Sequence, residues 1–386
     1  MNNHDILAYA VAREVVTRVR AGEKPWSDVL SAKSYVTASR SWPVPDFVLV
    51  DEDRKLAVGA EFKPPMQSKR EYLTGLGQAI AYSRDFDYGL LVVPTIADDG
   101  YPIARHIATV LSQPAMASVP VGLLAYDPGL LSPSRAEFDH LHFFNKRADK
   151  PATRAKLDDS FYAKWREASP EEILSLLDHS YEEMRHPTSS TKNVRERAWD
   201  RVWADIQAGK LHHWAGGLRH AKDTLANKIA VWKNYRNFPA HVGWVDSGGA
   251  LTTEGLRALH VGSLYGANSR PFLDEIAKAV LVPGKHLILL NAIGEFQDSR
   301  PSHSDEAAWL DALEEFLEQK GLLKRNEARA AAAVKNSERQ FLKAEKQLWK
   351  NLELIIPRPP AMKRVFHPGR GFVINWARIT DLLQSS

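Results

Sequence analysis

Between Pro45 and Tyr82 a largely apolar stretch is interrupted by a few polar residues whose types could do chemistry: Asp46, Glu61, Lys63 and Gln78. Phe47 to Val50 and Leu56 to Phe62 are short apolar runs of strand length, and the charged Asp51-Glu52-Asp53-Arg54 between them reads as a hairpin turn. Side chains alternate faces along a strand, so Glu61 and Lys63 point one way and Phe62 the other. Asp46, at the start of the paired strand, can then lie beside them. Two carboxylates converging at the end of a hairpin make a hard-oxygen site suited to Mg²⁺, and a lysine alongside can hold an anion or a water. The competing reading is a hairpin whose Glu61 and Lys63 form a solvated ion pair.

The order Pro45-Asp46, a spacer, then Glu61-Phe62-Lys63 resembles the active-site pattern of the PD-(D/E)XK nuclease superfamily. The resemblance implies Asp46, Glu61 and Lys63 as catalytic residues, with Asp46, Glu61 and the Phe62 carbonyl around Mg²⁺, for which Mn²⁺ can substitute. An upstream helix in this family often adds a glutamate to the metal, which makes Glu14 the candidate third ligand. Gln78, a fourth catalytic candidate, and Tyr82, a supporting one, fall where the RecB-type branch carries Gln-x-x-x-Tyr, and at i and i+4 they share a helical face. The likeness covers roughly the first 130 residues. Glu14 is explained equally well as part of a solvated helix face, since Arg13 and Arg18 flank it, and Gln78 can simply border the core.

The elements that must position these groups follow from periodicity. Ile6 to Val19 has apolar residues at helical spacing and stops before Ala21-Gly22-Glu23-Lys24-Pro25. Trp26 to Leu30 adds a turn, and Lys33 to Ala38 a short strand or loop. Pro43 and Pro45 favour an extended approach to Asp46. Ser68 to Ser83 is the helix holding Gln78 and Tyr82. Tyr88 to Pro94 and Val119 to Tyr126 read as buried strands, with a helix over Ile103 to Leu111 between them. This order predicts an α/β fold, a mixed central sheet flanked by helices on both faces, over residues 1–150.

Residues 151–240 are expected to form a helical connecting or DNA-contacting region. Glu171 to Met184 follows Ser169-Pro170, which have the order of an N-cap and first helical position. Val194 to Gln207 is amphipathic with Trp199 and Trp203 one turn apart, and Leu218 to Tyr235 is a further helix. Tryptophans at that spacing are more often core than nucleic-acid contacts. His212, His213 and His220 lack a spaced carboxylate or cysteine to complete a zinc site.

Residues 241–386 are expected to be mostly helical. The run from Leu251-Thr252 through Gly255 is similar to the entry into winged-helix domains, a weak signal. Helices are predicted over Leu256 to Tyr265, Phe272 to Leu281, Ser304 to Lys320 and, as a long basic helix, Leu322 to Leu354. His286 to Asn291 reads as a strand or a buried helix start, and Val365 to Ile374 as a terminal hairpin.

The 386 residues carry 51 Lys and Arg against 47 Asp and Glu, a net charge of +4, unevenly spread. Residues 1–150 hold 17 basic against 18 acidic side chains, residues 185–236 hold 11 against 4, and residues 320–386 hold 14 against 5. Basic charge outside the proposed catalytic region suits phosphate contacts or solvated helix faces. Candidate DNA contacts are Lys69, Arg70, Arg195, Arg197, Lys222, Lys228, Lys233 and Arg236. The absence of cysteine excludes disulfides and thiolate chemistry and fits a reducing cytoplasm. No apolar run has membrane-spanning length, so no membrane partner is expected, and no phosphate-binding Gly-x-x-x-x-Gly-Lys-Ser is present.

Together these features lead us to expect a Mg²⁺-dependent endonuclease acting on double-stranded DNA as a homodimer, similar to type II restriction enzymes. Such a role implies a cognate methyltransferase. A repair or junction-resolving nuclease, and a DNA-binding regulator with an inactive nuclease-like core, are the alternatives.

Overall fold

The structure, a computed structural model, describes residues 3–39, 42–132, 136–138, 160–165, 168–186, 192–212, 223–235, 237–299, 305–324, 341–359 and 364–384. The chain divides into two compact units, Met1–Tyr162 with Leu313–Glu327, and Ala163–Ala312 with Ala328–Ser386. The first unit therefore runs past residue 150 and recruits a distant segment. Nothing in the local sequence signals that return.

The first unit is built on a five-stranded sheet in the order β1-β2-β3-β4-β5. Helix α1 (Asn3–Arg20) buries Val11, Val15 and Val19 and unwinds at Gly22, whose φ of +73° only glycine adopts cheaply. After a short α2 (Trp26–Val29), β1 (Tyr35–Thr37), β2 (Phe47–Asp51) and β3 (Leu56–Phe62) form an antiparallel meander. Buried Asp51 ties the hairpin turn: Oδ1 accepts from Arg54 N–H at 3.1 Å and from Ser31 Oγ at 2.8 Å. Burial works against its charge, but these donors outweigh it and hold the carboxyl below the usual range.

From β3 the pairing turns parallel, to β4 (Tyr88–Pro94) and on to β5 (Val121–Tyr126). Parallel neighbours need crossovers, and α3 (Lys69–Tyr82) and α4 (Ile103–Leu111) supply them. Both helices pack on one face, where Tyr72, Leu76 and Ala79 meet Leu91, Val93, Ile107 and Leu123. Gly89 permits the closest approach, since a Cβ there would stand 1.9 Å from the Ala79 carbonyl oxygen. Phe62 points to the other face, against His4 of α1 and Tyr126. The architecture is a mixed α/β sheet with helices on both sides, as the alternation of elements predicts. The segment after Gln319 closes the unit: Val36 N–H donates to Gly321 O at 3.1 Å, and Ser160 bridges Leu323. The expected long helix therefore does not begin at Leu322, and residues 325–340 lie outside the described set.

The second unit is almost wholly helical. Helices α5 (Pro170–Arg185) and α6 (Val194–Gln207) each start with a full capping box, Ser169 with Glu172 and Asn193 with Glu196. Trp199 stacks on Trp232 of α7 (Leu225–Tyr235) with ring centres 5.1 Å apart, and Trp199 and Trp203 are buried. The tryptophan pair is thus core. A short α8 (Asn237–His241) leads to a turn in which Asp246 Oδ1 accepts from Gly248 and Ala250 N–H groups, and Val245 bridges Leu251. Then follow α9 (Thr253–Tyr265), α10 (Arg270–Leu281) and α11 (His286–Ser299), so His286 to Asn291 is helical and not a strand; α12 (Glu306–Gln319) begins in this unit and from Leu313 onward belongs to the first. Ser304 lies outside the described residues, and Asp305 Oδ2 accepts from Ala308 N–H at 3.0 Å. Helix Lys343–Asn351, the hairpin Phe366–His367 with Gly371–Phe372, and helix Trp376–Gln384 complete the unit.

Buried His286 is a fixed neutral core residue. Its Nδ1 accepts from the Trp349 indole N–H at 2.8 Å and its Nε2 donates to the Ala163 carbonyl at 2.5 Å. Among the described residues no single helix is long and apolar enough to cross a membrane. Helices α10 and α11 pass that test only as a pair bent by 69°.

Candidate active site

The hairpin brings both carboxylates near the Tyr82 hydroxyl, whose ionisation the charges of Glu61 and Asp46 both oppose. Phe47 pairs with Ala60 at the end of β2, and Asp46 N–H donates to the Ala60 carbonyl at 2.9 Å, so Asp46 leaves the strand beside the last residues of β3. Asp46 Oδ2 accepts from the Phe62 N–H at 2.7 Å, a side chain taking the acceptor role that the ladder no longer supplies beyond β2.

Glu61 and Lys63 share a face of the strand, as alternation requires. The Lys63 ammonium lies 2.8 Å from Glu61 Oε1, with side chains 13% and 6% exposed respectively. This is a largely buried pair, unlike the solvated one the sequence also allowed. The Lys63 backbone is fixed from both sides: its N–H donates to Val92 O at 2.9 Å and its carbonyl accepts from Tyr126 Oη at 2.8 Å.

Helix α3 covers this face. The Tyr82 hydroxyl donates to Glu61 Oε2 and also lies 3.3 Å from the Val44 carbonyl oxygen. Burial first, then the Glu61 and Asp46 charges, push the Tyr82 phenol far above its usual range, so it remains a donor. Two turns earlier, Gly75 leaves room for the Lys63 stem. Gln78 sits on the same stripe between them, and its Oε1 is buried with no hydrogen-bond partner.

The contribution of α1 differs from the one expected. Glu14 accepts from Arg18 Nε at 2.9 Å, one turn along its own helix. It lies ten residues from His4, about 15 Å along the axis. The residues that α1 brings to Asp46 are in its first turn: His4 Nε2 donates to the Phe62 carbonyl at 2.9 Å and lies 3.6 Å from Asp46 Oδ2, while Nδ1 is 3.4 Å from Asp5 Oδ1. Glu14 is engaged with Arg18 and is not among the ligand atoms grouped around Asp46. Burial opposes a charge on His4, but Asp5, Asp46 and the Phe62 carbonyl outweigh it and raise the imidazole to about 9. Ligand atoms of His4, Asp5 and Asp46 lie within 4.8 Å of one another. At neutral pH the imidazolium occupies that cluster as a cation, and it must lose its proton before it can ligate a metal. His4 and Asp5 belong to no spaced motif that would single them out before the fold is known.

The donor set suits a hard divalent cation. Asp46 and Glu61 offer carboxylate oxygens and Phe62 a carbonyl oxygen. A carboxylate has about four lone-pair sites, so Glu61 keeps capacity after meeting Lys63 and Tyr82.

Of the five proposed DNA contacts whose side chains are described, four are engaged within the fold. Lys69 pairs with Asp99 at 2.8 Å over the Tyr101 ring, Arg197 with Glu183 at 2.6 Å, and Lys228 with Asp200 at 2.6 Å. Arg195 donates to the Ser247 carbonyl at 2.5 Å and packs against Gly249. Arg70 is exposed and has no ion-pair partner among the described residues. Lys222, Arg236 and the Lys233 side chain lie outside the described residues, as do His213 and His220. His212 pairs with Glu171 at 2.9 Å.

No protein-family model matches the chain, and no curated protein is significantly similar to it.

Proposed function

We propose that the protein is a metal-dependent deoxyribonuclease of PD-(D/E)XK type, hydrolysing phosphodiester bonds in double-stranded DNA. The observation that carries this reading is the Lys63 ammonium held 2.8 Å from Glu61 Oε1 while Asp46, just before β2, accepts from the Phe62 N–H at 2.7 Å and acts together with Glu61 on the Tyr82 hydroxyl. A hairpin carrying both carboxylates, followed by a helix and a parallel strand, is the order of elements that the resemblance to PD-(D/E)XK nucleases implies. Asp46, Glu61 and the Phe62 carbonyl would hold Mg²⁺ or Mn²⁺. The metal, when bound, polarises the phosphoryl oxygen and acidifies a water.

The chain's own groups do the rest. Lys63 offsets negative charge on the pentavalent phosphorus as water adds and the ester oxygen leaves. Tyr82 fixes the Glu61 carboxylate by its hydrogen bond, and Gln78 offers a dry amide oxygen to orient the water. Type II restriction, with a homodimer matching a symmetric target and a cognate methyltransferase, is the biological role we favour. The second unit, with its α9–α10 pair and terminal hairpin, is the proposed target reader of winged-helix type.

A non-catalytic DNA-binding role is the second reading, favoured by the internal satisfaction of Glu61 by Lys63 and Tyr82. Incubation with plasmid DNA and Mg²⁺, against an EDTA control, separates the two. Metal-dependent nicking or linearisation is expected, and intact plasmid in both arms would remove the nuclease reading.

A further inference from the structure

The sheet ladder runs out at Lys63. In a parallel pair, a residue that donates its N–H to a carbonyl of the neighbouring strand accepts from the N–H two positions further along that strand. Lys63 donates to Val92 O at 2.9 Å, so the donor expected for its own carbonyl is residue 94. Residue 94 is proline and has no N–H. Pro64 and Pro65 follow Lys63, so the next two residues of β3's own chain also lack an amide donor.

Strand β5 supplies what β4 lacks. Tyr126, its last residue, pairs with Pro94 in the register, and its hydroxyl donates to the Lys63 carbonyl at 2.8 Å. The side chain thus reaches across one strand to fill the place of the missing amide. Its ring is buried and stacks on Phe62 with centres 5.5 Å apart. Burial first, then Tyr72 and Asp98, push the phenol far above its usual range, so it stays a donor. The following two carbonyls are held in the same manner, with Tyr72 Oη 3.1 Å from Pro64 O and 2.6 Å from Pro65 O.

The residue secured in this way carries the candidate catalytic amine. Its ammonium meets Glu61 Oε1 at 2.8 Å, and its stem passes Gly75, where a Cβ would come within 2.7 Å of Lys63 Cε. A side chain so closely fitted inherits any shift of its backbone, and about 1 Å of misplacement can cost on the order of 100-fold in rate. We propose that Tyr126 is a positioning residue for phosphodiester cleavage that acts through Lys63, its hydroxyl replacing the amide that Pro94 cannot provide and fixing where the ammonium stands. This rests on the nuclease reading above.

The hydroxyl can be removed without the ring, since Tyr126→Phe keeps the aromatic face that stacks on Phe62. In plasmid cleavage Tyr126→Phe should lose roughly 10- to 100-fold in kcat, with KM for DNA within about threefold of wild type. In a Lys63→Ala background the same change should cost no more than about twofold, because the group it positions is gone. Ile107→Val, a truncation in the core that α4 shares with the sheet, supplies a purely structural loss and should leave kcat unchanged. Wild-type kcat in Tyr126→Phe, or losses that multiply in the double variant, would overturn the proposal. Amide hydrogen exchange in EDTA adds a readout free of cleavage: the Lys63 N–H should exchange faster in Tyr126→Phe while amides at the centre of β4 do not. If wild type leaves plasmid intact with Mg²⁺, the nuclease reading fails on its own. Faster exchange at Lys63 would then still show Tyr126 fixing that residue, and unchanged exchange would remove the positioning role as well.

Discussion

Gly75 of α3 faces the stem of Lys63: a Cβ built on Gly75 would lie 2.7 Å from Lys63 Cε and 3.1 Å from Cγ. The helix crosses β3 at this point because a hydrogen stands where any other residue would carry a carbon. Gly75→Ala should push the ammonium away from Glu61 and lower plasmid cleavage by roughly 10- to 100-fold, as a displacement of about 1 Å can. Gly77, with nothing within 4 Å, is the internal control. Gly77→Ala should raise thermal stability by up to about 1 kcal/mol. Unchanged cleavage by Gly75→Ala would show that the position of Lys63 is immaterial.

Asp46→Ala and Lys63→Ala should each reduce cleavage by about 100- to 1000-fold, the effect of removing a group that stabilises transition-state charge. DNA binding in EDTA should change only a few-fold. Plasmid nicking assays at several Mg²⁺ concentrations check this, and wild-type rates in either variant would dissolve the assignment.

Tyr82→Phe removes the hydroxyl that donates to Glu61. Leaving a buried carboxylate oxygen short of a donor costs on the order of 1–3 kcal/mol, readable as a lowered denaturation midpoint. Cleavage should fall less than in Asp46→Ala, since the hydroxyl positions Glu61 and does not meet the phosphate. A melting curve identical to wild type would mean that the bond contributes nothing.

His4, raised from 6.5 to about 9, binds its proton more tightly in the folded state. Its stabilising contribution is complete below pH 6.5 and disappears as pH rises towards 9. Mg²⁺ at Asp46 would compete with the imidazolium. An NMR titration of the His4 ring should therefore show a raised apparent pKa that falls when Mg²⁺ is added; a value at or below 6.5 without metal contradicts the geometry.

His286 behaves oppositely. Burial lowers it from 6.5 to about 4, so below pH 6.5 the unfolded chain takes up a proton that the folded chain refuses. Stability is lost at up to about 1.4 kcal/mol per pH unit between 6.5 and 4. Chemical denaturation of wild type and His286→Gln across this range should show a shallower acid slope for the variant.

Much of the first unit was legible because its signals are local. Apolar runs of strand length fixed β2 to β5, and the two-residue alternation put Glu61 and Lys63 on one face and Phe62 on the other. What escaped was produced by tertiary contact. His4 reaches Asp46 only because α1 lies across the far side of the sheet, and no spacing rule connects residues 4 and 46. Glu14 draws the metal-ligand role because the resemblance calls for a glutamate on this helix, whereas the acidic residue beside Asp46 is Asp5, nine residues and about two and a half turns earlier. Lys69, Arg197 and Lys228 look available for phosphates in the sequence because their partners Asp99, Glu183 and Asp200 lie 14 or more residues away along the chain. The Trp199 and Trp203 pair was correctly assigned to the core by helical spacing alone.

The pairing of Ser160 with Leu323 and of Val36 with Gly321 bears on how the protein can be dissected. The sheet domain is stitched from two stretches separated by about 150 residues of other structure. A fragment cut after Tyr162 would strip backbone partners from Val36 and Phe161 and expose Val16 beside the missing Gly321. Loss of activity in such a fragment would report a broken scaffold, not a missing reader of DNA sequence. Domain swaps with this protein must therefore carry both stretches together or exchange only the inserted helices between them.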